Sequence, residues 1–496
     1  MLHVKNYIDG AWRDSVSGDK KELINPADGS ISGTHTNSGR EDAAQAINAA
    51  KRAFHDDKIW PGMNVEERTD ILLKVADLLE KRSDEAARIE SINSGKPLRE
   101  AEADVWDAVH CFRYFAGLAA APQGGSYQVP DGFGKMRSFS VHEPVGVCGL
   151  ITPWNFPLLM GVWKIAPALA AGNCIVYKPS SNTPLSAKIL FEIFDEAGLP
   201  PGTVNMVIGP GESVGQEIAE SSDVDMVSFT GSTATGQDIS RRAAGNLKKV
   251  SLELGGKSPN IIFADADLEG AVEWAMIGIF FNQGEVCSAG SRIIIEASFK
   301  DKFVKRLTER AKAMTIGNPL DNPDMGPLIT ESHMNKVLKY IESGKAEGAK
   351  CVCGGYRYTD GECAKGFYVA PTIFDDCSPA MKIVREEIFG PVVTIQTFET
   401  EEEAVSIANS TEYGLAGGVF TTDGARALRV VEGIRAGITW INCYNPTFTG
   451  APWGGYKKSG VGRELGAKGF EEYQEVKQIN ILLNPGPVGW YTDYNL

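Results

Sequence analysis

The segment from Gly146 to Thr230 constrains the fold more than any other. Val147–Thr152 is a continuous apolar run, followed by a helical stretch from Leu158 to Ala171 and a second run, Cys174–Lys178. Helix Pro184–Gly198, run Val204–Ile208, helix Gly211–Glu220 and run Val224–Thr230 come next. Apolar runs of strand length that alternate with helical stretches across short connections predict a doubly wound parallel sheet. Ligands bind such sheets outside the carboxyl ends of the strands. The loops after Thr152, Lys178 and Phe229 are therefore where a site is expected.

A second alternating region starts after about Gly255. Asn260–Phe263, Ser291–Ala297, Val392–Phe398 and Gly417–Phe420 read as strands, and Phe299–Met314 as a helix. Upstream, Tyr7–Trp12 and Glu22–Asn25 read as short strands. Arg40–His55 and Val65–Asn93 carry apolar residues at three- and four-residue spacing and read as helices. The expected fold class is α/β, with a Rossmann-like cofactor domain and a second α/β catalytic domain.

The chain has 496 residues, enough for two or three domains. Lys and Arg total 49 against 64 Asp and Glu, a formal charge of −15. That excludes a nucleic-acid partner, because binding phosphates needs basic surface. The nine cysteines show no disulfide framework, which points to a reducing compartment. Cys351 and Cys353 form a C-x-C pair with no second pair at zinc-site spacing, so no metal is expected. No basic segment followed by an apolar stretch opens the chain, and Trp274–Phe281 is far shorter than the ~20 residues of a membrane span. A cytoplasmic protein without membrane contact is expected.

Four residue settings suggest chemistry. Cys287 sits in the polar stretch Asn282-Gln-Gly-Glu285 and could be a nucleophile, since a thiolate is the strongest common one; a lone Cys is equally a small buried hydrophobe. Glu253 lies opposite Val250, Leu252 and Leu254 in an alternating strand, as either a general base or a solvent-facing acid would. Asn155, two residues before Pro157, also fits a turn. In Phe229–Gly236 a strand runs into a helix through Gly231 and Ser232, and a helix N-terminus there can receive a pyrophosphate.

The segments PWNFP (Pro153–Pro157), LELGGKSP (Leu252–Pro259), NQGEVCSAGSR (Asn282–Arg292) and EEIFGP (Glu386–Pro391) together resemble the aldehyde dehydrogenase superfamily. The likeness runs from YIDGAW near the start to PWGGYKKSGVGRELG (Pro452–Gly466). It implies an NAD(P)-dependent oxidation of an aldehyde to a carboxylic acid through a thiohemiacetal and a thioester on Cys287. Asn155 and the Cys287 backbone N–H would hold the oxyanion, and Glu253 would activate the hydrolytic water. Family members that pass the acyl group to coenzyme A typically lack that Glu, so water is the implied acceptor. Trp154, Lys178, Ser181, Gly231, Ser232, Glu387 and Phe389 are the implied cofactor residues. Where the family often has Glu, three residues after the Lys, this chain has Ser181; loss of that carboxylate implies that NADP is tolerated beside NAD.

The resemblance also implies three parts: a dinucleotide-binding domain (1–121 and 145–255), a catalytic domain (256–456), and a small β oligomerisation element (122–144 and 457–496) with strands near Ser138–Val141 and Val476–Leu483. A homodimer or homotetramer follows. Within the superfamily the likeness is nearest to betaine-aldehyde dehydrogenases, through Pro153–Asn173, Val286–Arg292 and Ala451–Gly460. Phe156, Trp163, Phe281 and Trp453 would then surround a trimethylammonium or amino aldehyde, with Ile438 narrowing the pocket. The same rings suit a broad-range aliphatic, aromatic or retinoid aldehyde. A cofactor-independent cysteine hydrolase is the alternative of another class, although no motif around any of the six histidines offers a partner for Cys287.

Overall fold

In the computed structural model, which describes residues 2–121, 124–130 and 135–486, an eight-stranded sheet carries the first alternating region. Its centre is five parallel strands in the order Lys249–Glu253, Met226–Thr230, Val147–Ile151, Cys174–Lys178, Val204–Met206. These strands are apolar throughout because both faces are covered. Val147, Val176 and Val227 face one core cluster, and Leu150, Ile175, Tyr177 and Met226 face the other. The strand order reverses between Val147–Ile151 and Met226–Thr230, so the Thr152–Asn155 and Gly231–Ser232 loops flank the switch point.

The second region forms a seven-stranded sheet, parallel apart from its edge strand Lys350–Cys353. Its central strands are Val392–Phe398, Arg292–Glu296, Pro259–Ile262 and Ala416–Phe420. Cys287 lies in the loop that enters Arg292–Glu296. The site thus forms where carboxyl ends of the first sheet face an amino-terminal edge of the second.

Several expectations need correction. Tyr7–Trp12 is not one strand but a hairpin, Asn6–Ile8 against Ala11–Arg13, turned by Asp9 (φ 56°) and Gly10 (φ 75°). Two consecutive positive φ values make the tight turn that an Asp-Gly pair favours. Val65–Asn93 is two helices, Val65–Lys81 and Ser83–Ser94, broken at Arg82 (φ −103°, ψ 18°). The first turn of Gly211–Glu220 is π-helical. The pattern reading missed the 23-residue helix Leu98–Ala120, which packs on Pro157–Ala170 and reaches the site.

Met136–Pro144 and Gln474–Leu482 pair antiparallel, with Ser126–Tyr127 on the far side, as a separate three-stranded sheet. Residues 122–123, 131–134 and 487–496, part of the expected oligomerisation element, lie outside the described residues. Gly460–Val461, expected with that element, instead extends the eight-stranded sheet beside Lys249–Glu253. Among the described residues no helix is long and apolar enough to cross a membrane.

The second sheet meets the tail of the chain closely at Gly437, where a Cβ would lie 1.6 Å from the carbonyl oxygen of Gly454. Gly437→Ala is therefore expected to destabilise the fold by about 1–3 kcal/mol, the usual range for overpacking. A lowered thermal midpoint in calorimetry checks this; an unchanged midpoint contradicts the close approach.

Candidate active site

Asn155 follows the strand Val147–Ile151, and its side chain is turned into the protein. Its Nδ2 donates to the Glu285 carbonyl (2.8 Å), and Asn282 Nδ2 donates to the Asn155 carbonyl (2.9 Å). The loop before Cys287 is unusual: Asn282 (φ 47°), Gln283 (φ 56°) and Gly284 (φ 73°) are left-handed in succession. For non-glycine residues this conformation is costly and persists only when surrounding contacts over-determine it. Those contacts are buried. Gln283 Oε1 accepts from Gly326 N (3.3 Å), and Glu285 Oε1 accepts from Ile329 N (3.1 Å).

Two cavities meet at Cys287, and Glu253 lines both. Burial pushes the Cys287 thiol up to about 12, reinforced by Glu387 and Glu253. Glu253 ends its strand and is buried, not solvent-facing; neither carboxyl oxygen has a hydrogen-bond partner among the described residues. Burial, then the neighbouring Glu464, hold its carboxyl well above the usual range, with Lys164 and Arg463 opposing. Lys164 and Glu464 form a buried ion pair behind it. At neutral pH the Cys287 thiol is therefore uncharged, and burial disfavours the charged form of Glu253 beside it.

The cavity on one side, about 250 Å³, is walled by Trp154, Asn155, Gly231, Ser232, Glu387 and Phe389. Phe389 is held at φ 61°, and its ring meets that of Trp154 edge-on at 5.3 Å. Glu387 accepts from Gly256 N (3.0 Å), and burial raises it to about 7. This cavity continues past Trp154 and Gly231 into a cleft of about 730 Å³ that contains Lys178 and Ser181. A Cβ at Gly231 would lie 2.4 Å from the Phe229 ring, which keeps the strand end open. Ser232 caps the helix Thr233–Ala243 by accepting from Thr235 N (3.3 Å). The elongated groove, its glycine opening and its helix N-terminus fit a dinucleotide. Burial lowers Lys178 to about 8, and Ser181 Oγ donates to Gly209 O (3.0 Å). Glu212 contributes an exposed carboxylate to the same cleft.

The cavity on the other side, about 170 Å³, brings together Phe156, Trp163, Phe281 and Trp453. Phe156 and Phe281 stack at 6.3 Å, and Trp163 meets Trp453 edge-on at 5.6 Å. Ile438 does not reach this wall; it opens an edge strand paired with Ala416.

Sequence reasoning missed several charged and titratable lining residues, Glu464 among them. Asp104 and Asp107 come from the helix Leu98–Ala120 and line the aromatic cavity. Lys96 pairs with Asp104 and sits 4.0 Å from the Phe156 ring centroid. His333 and Lys336, one turn apart on the helix Glu331–Ala346, line the cofactor-side cavity. Burial lowers His333 to about 4, so its neutral Nε2–H donates to Phe389 O (2.6 Å), and its 3.6 Å approach to Glu285 is no ion pair. Both pairs have the three-residue spacing that shares a helix face, but that spacing does not say that the face lines a cavity.

Residues 12–479 match the aldehyde dehydrogenase family. The chain is 49% identical over 488 residues to betaine aldehyde dehydrogenase of Bacillus subtilis (strain 168), covering 98% of this chain and 99% of that one. It is 46% identical over 487 residues to retinal dehydrogenase 2 of Gallus gallus, covering 97% and 92%. A crystal structure of betaine aldehyde dehydrogenase from Staphylococcus aureus in complex with NAD+ superposes with a TM-score of 0.96 at 45% identity, covering 99% of this chain and 96% of that one.

A thiol raised to about 12 carries little thiolate at neutral pH. In the cofactor-free protein, alkylation of Cys287 by iodoacetamide is expected to speed up by about tenfold per pH unit from pH ~7 to ~9. Peptide mass spectrometry against pH checks this, and a plateau by pH ~8 contradicts it.

Proposed function

The chain belongs to the aldehyde dehydrogenase family, and from that premise we propose that it oxidises a small cationic aldehyde, bearing a trimethylammonium or amino group, to the carboxylic acid. The observation that carries the reading is the charge of the aromatic cavity. Four carboxyl groups line it: Asp104, Asp107, Glu253 and Glu464. Lys96 neutralises Asp104, Lys164 neutralises Glu464, and burial disfavours the charged form of Glu253. Asp107 has no hydrogen bond or ion pair among the described residues, and burial raises it only to about 6, so it is ionised above that pH. One uncompensated anion among four aromatic rings favours a cation, which gains about 2 kcal/mol or more over desolvated rings. A volume of about 170 Å³ suits a short aldehyde. It falls well below the ~300–1,000 Å³ of pockets for drug-sized ligands, which disfavours a retinoid.

The proposed chemistry follows from the residues. Cys287 gives its proton to solvent through the cavities it lines, and its sulfur bonds the carbonyl carbon. The Asn155 amide and the Cys287 N–H donate to the resulting oxyanion, a role worth about 10²–10³ in rate per donor. A bound nicotinamide supplies the acceptor for the hydride that leaves this carbon, and the carbon–oxygen double bond re-forms as a thioester. Glu253, once deprotonated, takes a proton from water. The hydroxide adds to the thioester carbon, the carbon–sulfur bond breaks, and the acid departs with Cys287 restored. Trp154, Glu387 and Phe389 would hold the nicotinamide half of the cofactor. Gly231 and Ser232 would face the pyrophosphate, and Lys178 and Ser181 the adenosine ribose.

NAD is the cofactor, and NADP is proposed as a second one. Ser181 offers no repulsion to a 2′-phosphate, although Glu212 keeps one carboxylate in the cleft. The proposed division is a dinucleotide-binding part around the first sheet, a catalytic part around the second, and the three-stranded sheet as an oligomerisation element. The exposed strand Gln474–Leu482, with Val476 and Ile481 uncovered, supports a dimer or tetramer by edge pairing. Nine free cysteines support a reducing, cytoplasmic setting.

Two experiments test this. In steady-state assays with NAD, Asp107→Asn is expected to lower kcat/KM for betaine aldehyde or 4-aminobutanal by about tenfold, equivalent to ~1.4 kcal/mol, and for hexanal by less than about threefold. Equal losses on both would sink the cationic reading. Ser181→Glu is expected to reduce NADP turnover at least about tenfold while NAD turnover holds. No NADP turnover in the parent enzyme would refute tolerance.

A further inference from the structure

Glu100 is a buried carboxyl group, outside the aldehyde cavity and unused by the chemistry above, whose Oε2 accepts a hydrogen bond from the backbone N–H of Asn282 at 2.9 Å. This N–H belongs to the first of the three left-handed residues that precede Cys287. Asn282 in turn donates through Nδ2 to the Asn155 carbonyl (2.9 Å) and to the Glu285 carbonyl (3.3 Å). The Glu285 carbonyl is also the acceptor of the Asn155 side-chain amide (2.8 Å). The contacts form one chain: Glu100, the Asn282 backbone, the Asn282 amide, then both the backbone and the side chain of Asn155.

We propose that Glu100 is a positioning residue of the oxyanion hole, fixing the strained Asn282 turn so that the Asn155 amide and the Cys287 N–H converge on one point. The proposal rests on the reading of Asn155 as an oxyanion donor. Its physical basis is the cost of the turn. Left-handed backbone at Asn282 and Gln283 costs of order 1–3 kcal/mol each and needs an external restraint. A charge-assisted or carboxyl acceptor on a buried N–H supplies one, and losing it leaves that donor unsatisfied. Relaxation of the turn would move Asn282 Nδ2 off the Asn155 carbonyl. A displacement of about 1 Å at a reacting centre can cost about 10² in rate.

The test uses the full-length enzyme and two readouts. One is aldehyde oxidation with NAD; the other is cofactor-free hydrolysis of p-nitrophenyl acetate, which needs the same oxyanion hole but no hydride transfer. The variants are Glu100→Ala, Glu100→Met, Glu100→Gln, Asn282→Ala, Asn155→Ala and the Glu100→Ala/Asn282→Ala double. Glu100→Ala is expected to lower kcat in both assays by at least about tenfold with KM for NAD unchanged. Glu100→Gln, which keeps an acceptor, should recover most of that loss. The double variant should be no slower than the slower single variant, because both act on one turn. Glu100→Met fills the site if the alanine variant does not fold.

Equal losses for Glu100→Gln and Glu100→Met, or additive losses in the double variant, would overturn the proposal. So would full ester hydrolysis in Glu100→Ala or Glu100→Met. Asn155→Ala separates the two claims. If it retains ester hydrolysis, the oxyanion reading itself fails; if it is inactive while Glu100→Ala is not, only the role of Glu100 fails.

Discussion

The carbonyl oxygen of Glu285 ties the two halves of the active site together. It accepts from Asn155, at the carboxyl end of the first sheet, and from Asn282, in the loop entering the second. One acceptor shared by two buried amides fixes where Cys287 sits relative to the first sheet's switch point. Buried polar groups of this kind are costly unless paired, so the pairing specifies a single arrangement. Both cavities open at Cys287, two residues beyond that carbonyl. The left-handed turn at Asn282–Gly284 is the backbone cost of bringing that carbonyl round.

Around this junction burial disfavours charge on both Cys287 and Glu253. Burial raises both Cys287 and Glu253, and Glu253 further disfavours ionisation of Cys287. A resting thiol at Cys287 protects against stray alkylation and oxidation, which require thiolate. The charges that the site does carry are paired or placed with purpose. Lys164 and Lys96 neutralise two carboxylates, and Asp107 is left to face the cavity.

Much of this was legible in the sequence. The parallel core strands needed only their unbroken apolar runs between helices, because a strand covered on both faces has no polar side to hide. Cys287, Asn155, Glu253 and the four rings were located by segments whose order matched a known family. What was not legible had physical causes. Helix Leu98–Ala120 escaped because buried Glu100 and Asp104 interrupt its apolar face with polar groups. With it went Asp104 and Asp107, which line the aromatic cavity, and Glu100 behind the Asn282 turn. Arg82 broke a helix whose apolar spacing ran on across the break, and the Asp9-Gly10 turn was hidden inside a run that alternates like a strand. His333 was passed over because its partner is a backbone carbonyl, which no side-chain pattern reveals.

The central claim is that Cys287 carries the acyl group and Glu253 releases it. The most direct measurement is a rapid-mix experiment on Glu253→Gln with NAD and excess aldehyde, reading reduced nicotinamide and the mass of the Cys287 peptide. The account predicts a burst of about one reduced cofactor per subunit, then near arrest, with the acyl adduct on Cys287. Steady turnover without a burst, or an adduct absent from Cys287, would contradict it.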